Sequence, residues 1–285
     1  MGRSETDIEA ELRAAGEAPD EALDVARLAL ALAALDHPRK QRAAYEKHLA
    51  ELTSAFDAAL VRAKGADTAS ADVMAGALAG IVAGRFSYDG DSATYDDPKN
   101  ANLMDVIDRR KGLPVTLGIL YLHVGQSLGL DICGLNFPGH FVLRLRIGQS
   151  AAIIDPFNRG QVLSTADLLH LIRGIEGPDA KLTPDAYAPV TTRDILLRLE
   201  NNILSRAIRA NELDRARDVV ARMIWLAPRR AGLHFELGRL EVHAGHMGAA
   251  AIAFETCRSM ASGDGEMRIA GMAEEALRRL KTRLN

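Results

Sequence analysis

The chain has 285 residues, a formal net charge of −3 at pH 7 and 48% hydrophobic residues. This length allows one or two domains with a sizeable core, and the composition is ordinary for a globular protein. The small negative charge gives no electrostatic reason to expect nucleic acid or an acidic membrane as a partner.

The cysteines and the start of the chain indicate the compartment. Cys133 and Cys257 have neither metal-ligand spacing nor the pattern of a disulfide framework, which favours a reducing cytoplasm. No basic-then-apolar targeting signal precedes the first helix, and no apolar run approaches the length of a membrane span. We therefore expect a cytoplasmic protein that is not embedded in a membrane.

The N-terminal part of the chain is predicted to be helical. Residues 1–19 contain few bulky apolar residues, so we expect a flexible N-terminus there. Apolar or small residues at helical spacing predict helices over Asp20–Asp36, Arg39–Lys64 and Ser70–Val82. Residues 87–100 are rich in Asp, Gly, Ser and Pro, which is typical of a loop, and they lack the glutamate that closes an EF-hand. We expect no metal in this acidic loop, whose role the sequence leaves open.

The stretch from Arg109 to Asn158 organises the rest of the chain. Pro114 suits the first position of a buried helix that ends at Gly129. Three strands are then predicted, followed by a helix capped by Ser164 or Thr165; the strands are Asp131–Phe137, His140–Ile147 and Ala151–Ile154. The fold class is therefore α+β, with a helical N-terminal part packed on a small antiparallel sheet.

The C-terminal third is predicted to be all-α. Asn211–Ala227 and Gly245–Ala261 match at an offset of 34 residues, with Ala216 aligned to Ala250. Small residues at the helix crossing and Pro228 between the units are typical of tetratricopeptide-like hairpins. We therefore predict a flexible segment at 1–19, an α+β domain at 20–176, a linker at 177–192 and helical repeats at 193–285.

Three motifs in order resemble the SirB family: R-R-K-G-L-P at 109–114, P-G-H-F at 138–141 and I-D-P-F-N at 154–158. That family joins a transglutaminase-like core, which is related to papain-like folds, to a C-terminal tetratricopeptide segment. The resemblance covers about Leu28 to Leu280. It implies the same two-part architecture for this chain.

The resemblance also implies a site, because the wider superfamily carries a Cys-His-Asp triad on a helix and two strands. His140 and Asp155 match the histidine and the acid, but the nucleophile slot falls on Pro114, which has no nucleophilic atom. Thr116 is close in sequence but roughly 200° around the helix. Cys133 is predicted on a strand, as a small buried hydrophobe. A structural or ligand-binding role for His140 and Asp155 is favoured over catalysis, and catalysis is kept as the alternative.

A basic cluster precedes the central helix and continues on a strand: Arg109, Arg110, Lys111 and Arg144. One interpretation is a solvated rim. The other is an anion clamp at the start of the central helix, where the helix dipole would add to it. His123 could join a metal site only if it faced the sheet, and no metal or cofactor is expected.

Two classes of function remain. The favoured one is a non-catalytic adaptor or regulator whose transglutaminase-like core has lost its nucleophile and whose helical repeats bind a protein partner. The alternative is a hydrolase or transferase of amide or peptide substrates that uses His140 and Asp155. The sequence does not indicate the oligomeric state.

Overall fold

The computed structural model of the chain describes residues 5–62, 70–260 and 264–284. The predicted limits Lys64 and Ala261 and the first four residues lie outside this part. The helices, in chain order, are α1 (Glu5–Glu17), α2 (Val25–Asp36), α3 (Arg42–Arg62), α4 (Ala71–Ala79), α5 (Leu103–Arg109), α6 (Pro114–Ser127), α7 (Thr165–Glu176), α8 (Thr192–Arg209), α9 (Leu213–Leu226), α10 (Ala231–His243), α11 (Met247–Met260) and α12 (Asp264–Leu284). The strands are β1 (Asp89–Gly90), β2 (Lys111–Gly112), β3 (Asp131–Gly134), β4 (Leu143–Ile147), β5 (Ser150–Asp155) and β6 (Gln161–Leu163).

The chain divides into two compact units. The first, Asp20–Leu199, contains the strands and confirms the α+β fold class. The second combines the described residues of Arg3–Pro19 with those of Glu200–Asn285 and is helical. The domain limits derived from the sequence stay predictions.

The sheet of the first unit has the antiparallel order β3-β4-β5-β6. Its side chains alternate between a buried face and a face that is only partly buried. One face meets α6, where Ile132 packs against Gly125. The other face meets α7 in an apolar cluster that includes Val142, Leu168 and Ile172. In β4, Leu143 and Leu145 therefore lie on the buried face, and Arg144 and Arg146 lie on the partly exposed one.

The helices around the sheet follow the predicted order. Helix α2 is buried over nine residues, as its almost uniformly apolar sequence indicated, and Asp24 caps its start by accepting from the Arg27 amide. Helix α6 begins at Pro114, and Ser164 forms a capping box at the start of α7. Helix α4 continues into a π-helix at Gly80–Arg85, which helical periodicity alone did not predict.

Three expectations differ from the structure. The N-terminal stretch forms the 13-residue helix α1, because Ile8, Leu12 and Ala15 are buried against other residues of the second unit, including α9. The segment 177–192 is not a free linker, because its backbone pairs with residues next to β3, including a bond from the Asn136 amide to the Ala188 carbonyl at 2.9 Å. The strand predicted to start at His140 starts at Leu143, because the chain turns at Gly139, whose φ is +62°.

The repeat register predicted at 34 residues is present in the second unit. Leu213 and Leu226 bound α9, and Met247 and Met260, each 34 positions later, bound α11. Ala216 and Ala250 are both fully buried, as expected for small residues at a helix crossing.

Candidate functional site

His140 and Asp155 are in direct contact in the first unit. His140 Nε2 lies 2.9 Å from Asp155 Oδ1. An ionised carboxylate can only accept, so Nε2 donates to it; when the ring carries a single proton, Nδ1 is left as an acceptor. The pair therefore has the hydrogen-bonding pattern of an oriented histidine, which in an enzyme could take a proton at Nδ1.

Asp155 is completely buried and densely hydrogen-bonded. Its carboxylate also accepts from the Phe157 amide at 2.9 Å, from the Asn158 amide at 3.4 Å and from Asn158 Nδ2 at 2.6 Å. Burial raises the pKa of Asp155, but the hydrogen bonds from His140, Asn158 and the Phe157 amide outweigh it, so the pKa lies below its ordinary value. The D-P-F-N turn after β5 thus supplies both the acid and the donors that keep it ionised.

His140 is held on two further sides. The edge of the Phe157 ring meets the imidazole at a centroid distance of 6.4 Å, and Tyr95 from the acidic loop packs on Phe157 at 5.8 Å. Arg198 Nη2 donates to the His140 carbonyl at 2.6 Å, while its guanidinium lies over the Phe141 ring. Sequence reasoning missed Arg198, since it lies 58 positions from His140 without a local motif.

Gly118 of helix α6 packs against the His140 hairpin, by which we mean residues 138–158: the loop before β4, strands β4 and β5, and the turn after β5. A methyl group added at Gly118 would lie 2.5 Å from Phe141 Cε1 and 3.6 Å from Pro156 Cγ. Pro114 lies one helical turn before Gly118, on the same face. Thr116 faces elsewhere, because its buried hydroxyl donates to the Asn100 carbonyl at 2.9 Å.

The two thiols have other surroundings. Cys133 on β3 packs with the α7 cluster, and its sulfur lies 3.6 Å from Arg144 Nη2. Burial raises the pKa of the Cys133 thiol, which disfavours a reactive thiolate. Cys257 belongs to the core of the second unit, with Ala250 and Phe254.

The predicted basic cluster is divided among different partners. Arg109 binds Asp91 at 3.0 Å and Asp97 at 3.4 Å. Arg110 contacts the Tyr88 hydroxyl and donates to His48 Nε2 at 2.6 Å. Lys111 lies exposed on β2, and Arg144 binds the Tyr187 carbonyl at 3.3 Å. The three arginines thus contact different side chains and backbone groups of the first unit. An anion clamp formed by all four basic residues stays a prediction.

The acidic loop is an ordered part of the first unit and supports the start of α6. Asn100 is fully buried; its carbonyl accepts from the Leu113 amide and from Thr116, and its side chain accepts from Arg109. A hydrogen bond from the Thr94 hydroxyl is the largest cause that lowers the pKa of Asp91, to about 2. An Asp followed three residues later by Thr is a local turn signal that can be read from the sequence. No local signal predicts the contact of Asp91 with Arg109.

The described part of the chain contains no cluster of potential metal ligands. No three His, Cys, Asp or Glu side chains there are placed to hold one ion. His123 lies 3.3 Å from the Thr53 hydroxyl of α3, away from the sheet. Among the described residues, no helix is both long and apolar enough to cross a membrane.

Similarity to known families identifies the class of protein. The chain belongs to the transglutaminase-like superfamily, whose family model matches residues 43–201. A tetratricopeptide repeat model matches residues 203–284. The protein therefore joins a transglutaminase-like domain to tetratricopeptide repeats, which generally mediate protein–protein interaction.

The relatives come from bacteria and from animals. The chain is similar to the UPF0162 protein of Xylella fastidiosa (strain 9a5c), at 32% identity over 58% of this chain and 60% of the relative. It is similar to the UPF0162 protein of Vibrio cholerae, at 38% identity over 40% of this chain and 42% of the relative. Human F-box only protein 21 is 28% identical over 44% of this chain and 20% of that protein. The chain thus spans 60% or less of these relatives, and no solved structure matches it.

Proposed function

We propose that this protein is a non-catalytic transglutaminase-like adaptor or regulator whose repeat module binds a protein partner. The observation that carries the proposal is the proline at position 114. It stands at the first position of α6, one helical turn before Gly118, which packs against Phe141; the superfamily resemblance implies a cysteine at this position. A ring nitrogen in a peptide bond offers no nucleophile.

The environment of the histidine–aspartate pair supports a structural role. The Asp155 carboxylate accepts hydrogen bonds from His140 and from its own turn, and the His140 carbonyl accepts a hydrogen bond from Arg198. Such a pair fixes the turn after β5 against the loop before β4. The same bonds explain its presence without any reaction.

The variant Pro114→Cys tests whether position 114 is the empty nucleophile slot. We expect its thiol to react with iodoacetamide much faster than Cys133 or Cys257, because a helix N-terminus and a histidine acceptor both favour a thiolate. Peptide mapping by mass spectrometry measures the labelling rate at each site. The double variant Pro114→Cys, His140→Ala should label more slowly at position 114.

The wild-type chain provides the decisive comparison. It should leave amide and peptide substrates intact in the presence or absence of a primary amine. Turnover that disappears in His140→Ala, while the far-ultraviolet circular dichroism is unchanged, would overturn the adaptor proposal.

The alternative function is a hydrolase or transferase of amide substrates. The hydrogen bond between His140 and Asp155 favours it, because an oriented imidazole with an acceptor Nδ1 can activate water. The turnover assay on wild type and His140→Ala separates this function from the adaptor.

Family and location complete the proposal. The ordered motifs at 109–114, 138–141 and 154–158 support membership of the SirB family. Cys133 and Cys257 are not joined in a disulfide, which supports a reducing cytoplasm. Affinity capture with the full chain, and with residues 200–285 removed, tests whether a specific partner depends on the repeats.

A further inference from the structure

A cavity in the first unit lies between α3 and the end of the π-helix. Its volume is 700 Å³, and small-molecule sites commonly have volumes of about 300–1,000 Å³. Four small residues of α3 line it: Ala50, Ser54, Ala55 and Ala58. Four charged residues and one aromatic ring complete the lining: Lys47, Glu51, Arg62, Arg85 and Phe86. The described lining thus carries three cations and one carboxylate.

The π-helix fixes Arg85 and Phe86 at the edge of this cavity. The Phe86 amide donates to the Ile81 carbonyl, five residues earlier, at 3.0 Å. The Arg85 guanidinium lies 5.5 Å from the centre of the Phe86 ring, and the His48 ring meets the same ring edge-on at a centroid distance of 5.6 Å. His48 is held in turn by the Tyr88 hydroxyl at 2.8 Å. Because these side chains are already held in place, a ligand would pay little to order them.

Two of the three cations lack an ion pair. In the part of the chain that the structure describes, neither Arg62 nor Arg85 is paired with a carboxylate. Glu51 instead lies beside α3 neighbours, 4.0 Å from Lys47 Nζ and 3.7 Å from His48 Nδ1. An anion in the cavity could therefore meet the two guanidinium groups without displacing a partner of either.

We propose that this cavity binds a nucleoside phosphate. A guanidinium group matches phosphate oxygens in both charge and geometry. The small side chains of α3 leave room for a flat base beside Phe86, which offers an aromatic surface. None of the lining residues belongs to the His140 hairpin or to the repeats, so this site is additional to the adaptor role.

Isothermal titration calorimetry on the full chain tests the site with adenosine monophosphate and uridine monophosphate. The matched probes are adenosine, which lacks the phosphate, and ribose 5-phosphate, which lacks the base. We expect at least one nucleotide to bind, with an affinity that falls as NaCl is raised. Each matched probe should bind about tenfold or more weakly than that nucleotide, because it loses one of the two contacts.

Charge reversal locates the binding. Arg62→Glu combined with Arg85→Glu should weaken nucleotide binding by about tenfold or more. The matched control is Arg146→Glu on β4, which is 49% exposed, lies 3.8 Å from Asp131 and does not line the cavity. It should leave the affinity within about twofold. Far-ultraviolet circular dichroism checks that both variants keep the fold.

Three results would overturn the assignment: neither nucleotide binds, adenosine or ribose 5-phosphate binds as tightly as the nucleotide, or the double reversal acts like Arg146→Glu. Failure of the adaptor proposal is read independently, from turnover by the wild-type chain and from its dependence on His140.

Discussion

Asp155 shows how one residue can be buried and charged at the same time. Its carboxylate has no exposed surface, yet side chains and amides of its own turn donate to both oxygens. The penalty of removing the charge from water is offset by these bonds and by the imidazole. Asp155 resembles a catalytic acid but also stabilises its turn, so measurements of stability test its role as directly as measurements of activity.

Replacing Asp155 with Asn should destabilise the first unit by about 2–4 kcal/mol, because a buried amide group would face the donors that the carboxylate now accepts. Urea unfolding followed by far-ultraviolet circular dichroism measures the change. The control Asp131→Asn removes an exposed aspartate whose pair with Arg146 spans 3.8 Å. It should cost less than about 0.5 kcal/mol, and an equal loss in both variants would contradict the role given to Asp155.

The same carboxylate predicts a dependence of stability on pH. The pKa of Asp155 in the folded protein lies below the ordinary value of 3.8. Its contribution is therefore fully present at pH values well above 3.8 and is lost as pH falls through the folded pKa. The difference in unfolding free energy between wild type and Asp155→Asn should be constant near neutral pH and shrink below about pH 4. A difference that stays unchanged down to pH 3 would show that ionisation is not its source.

At the scale of elements, the contact between α6 and the hairpin sets the geometry of the site. Gly118 permits this contact because the Phe141 ring occupies the space where a side chain would begin. Pro114 lies one helical turn before Gly118 and therefore on the same side of α6. A glycine in mid-helix is unfavourable by itself, so its presence here is explained by packing.

Gly118→Ala should destabilise the protein by about 1–2 kcal/mol, because overpacking against Phe141 outweighs the better helix propensity of alanine. Gly76→Ala on α4 is the matched control. A methyl group there meets nothing within 4 Å, so this variant should be more stable by about 0.5–1 kcal/mol. Thermal or urea unfolding distinguishes the signs. A stabilised Gly118→Ala variant would mean that the helix can move away from the hairpin without cost.

The sequence predicted the elements with local signals and missed those held by distant partners. Pro114 and Ser164 mark the starts of α6 and α7, and both are visible as short-range patterns. Helix α1 was missed because its apolar side chains are too few to predict burial without α9 beside them. In the site, the pair of His140 and Asp155 could be anticipated, but the contact from Arg198 could not, since nothing in its neighbourhood indicates its partner.

At the scale of the whole molecule, the second unit is discontinuous in sequence. Helix α1 packs on α9, with Gly16 against the Trp225 carbonyl and the Arg13 guanidinium 5.1 Å from the centre of the Trp225 ring. Helix α1 therefore adds buried apolar side chains to the helical repeats.

Leu12→Ala should therefore weaken the second unit by about 2–4 kcal/mol, because Leu12 is completely buried in α1. Trp225 is the single tryptophan of the chain, so its fluorescence during urea unfolding reports on this unit alone. Glu9→Ala, which removes only an exposed pair with Arg13, is the control and should cost less than about 0.5 kcal/mol. Unchanged tryptophan transitions in Leu12→Ala would show that α1 contributes nothing to the repeats.

The pairing of α1 with α9 has a consequence for biosynthesis. A ribosome makes Glu5–Glu17 long before Leu213–Leu226, so the apolar side of α1 has no docking surface while residues 20–199 are being translated. Those intervening residues form a compact unit that contains its own sheet and can fold in that interval. During translation, residues 20–199 can therefore form their own unit before α9 emerges, and α1 can dock only after that.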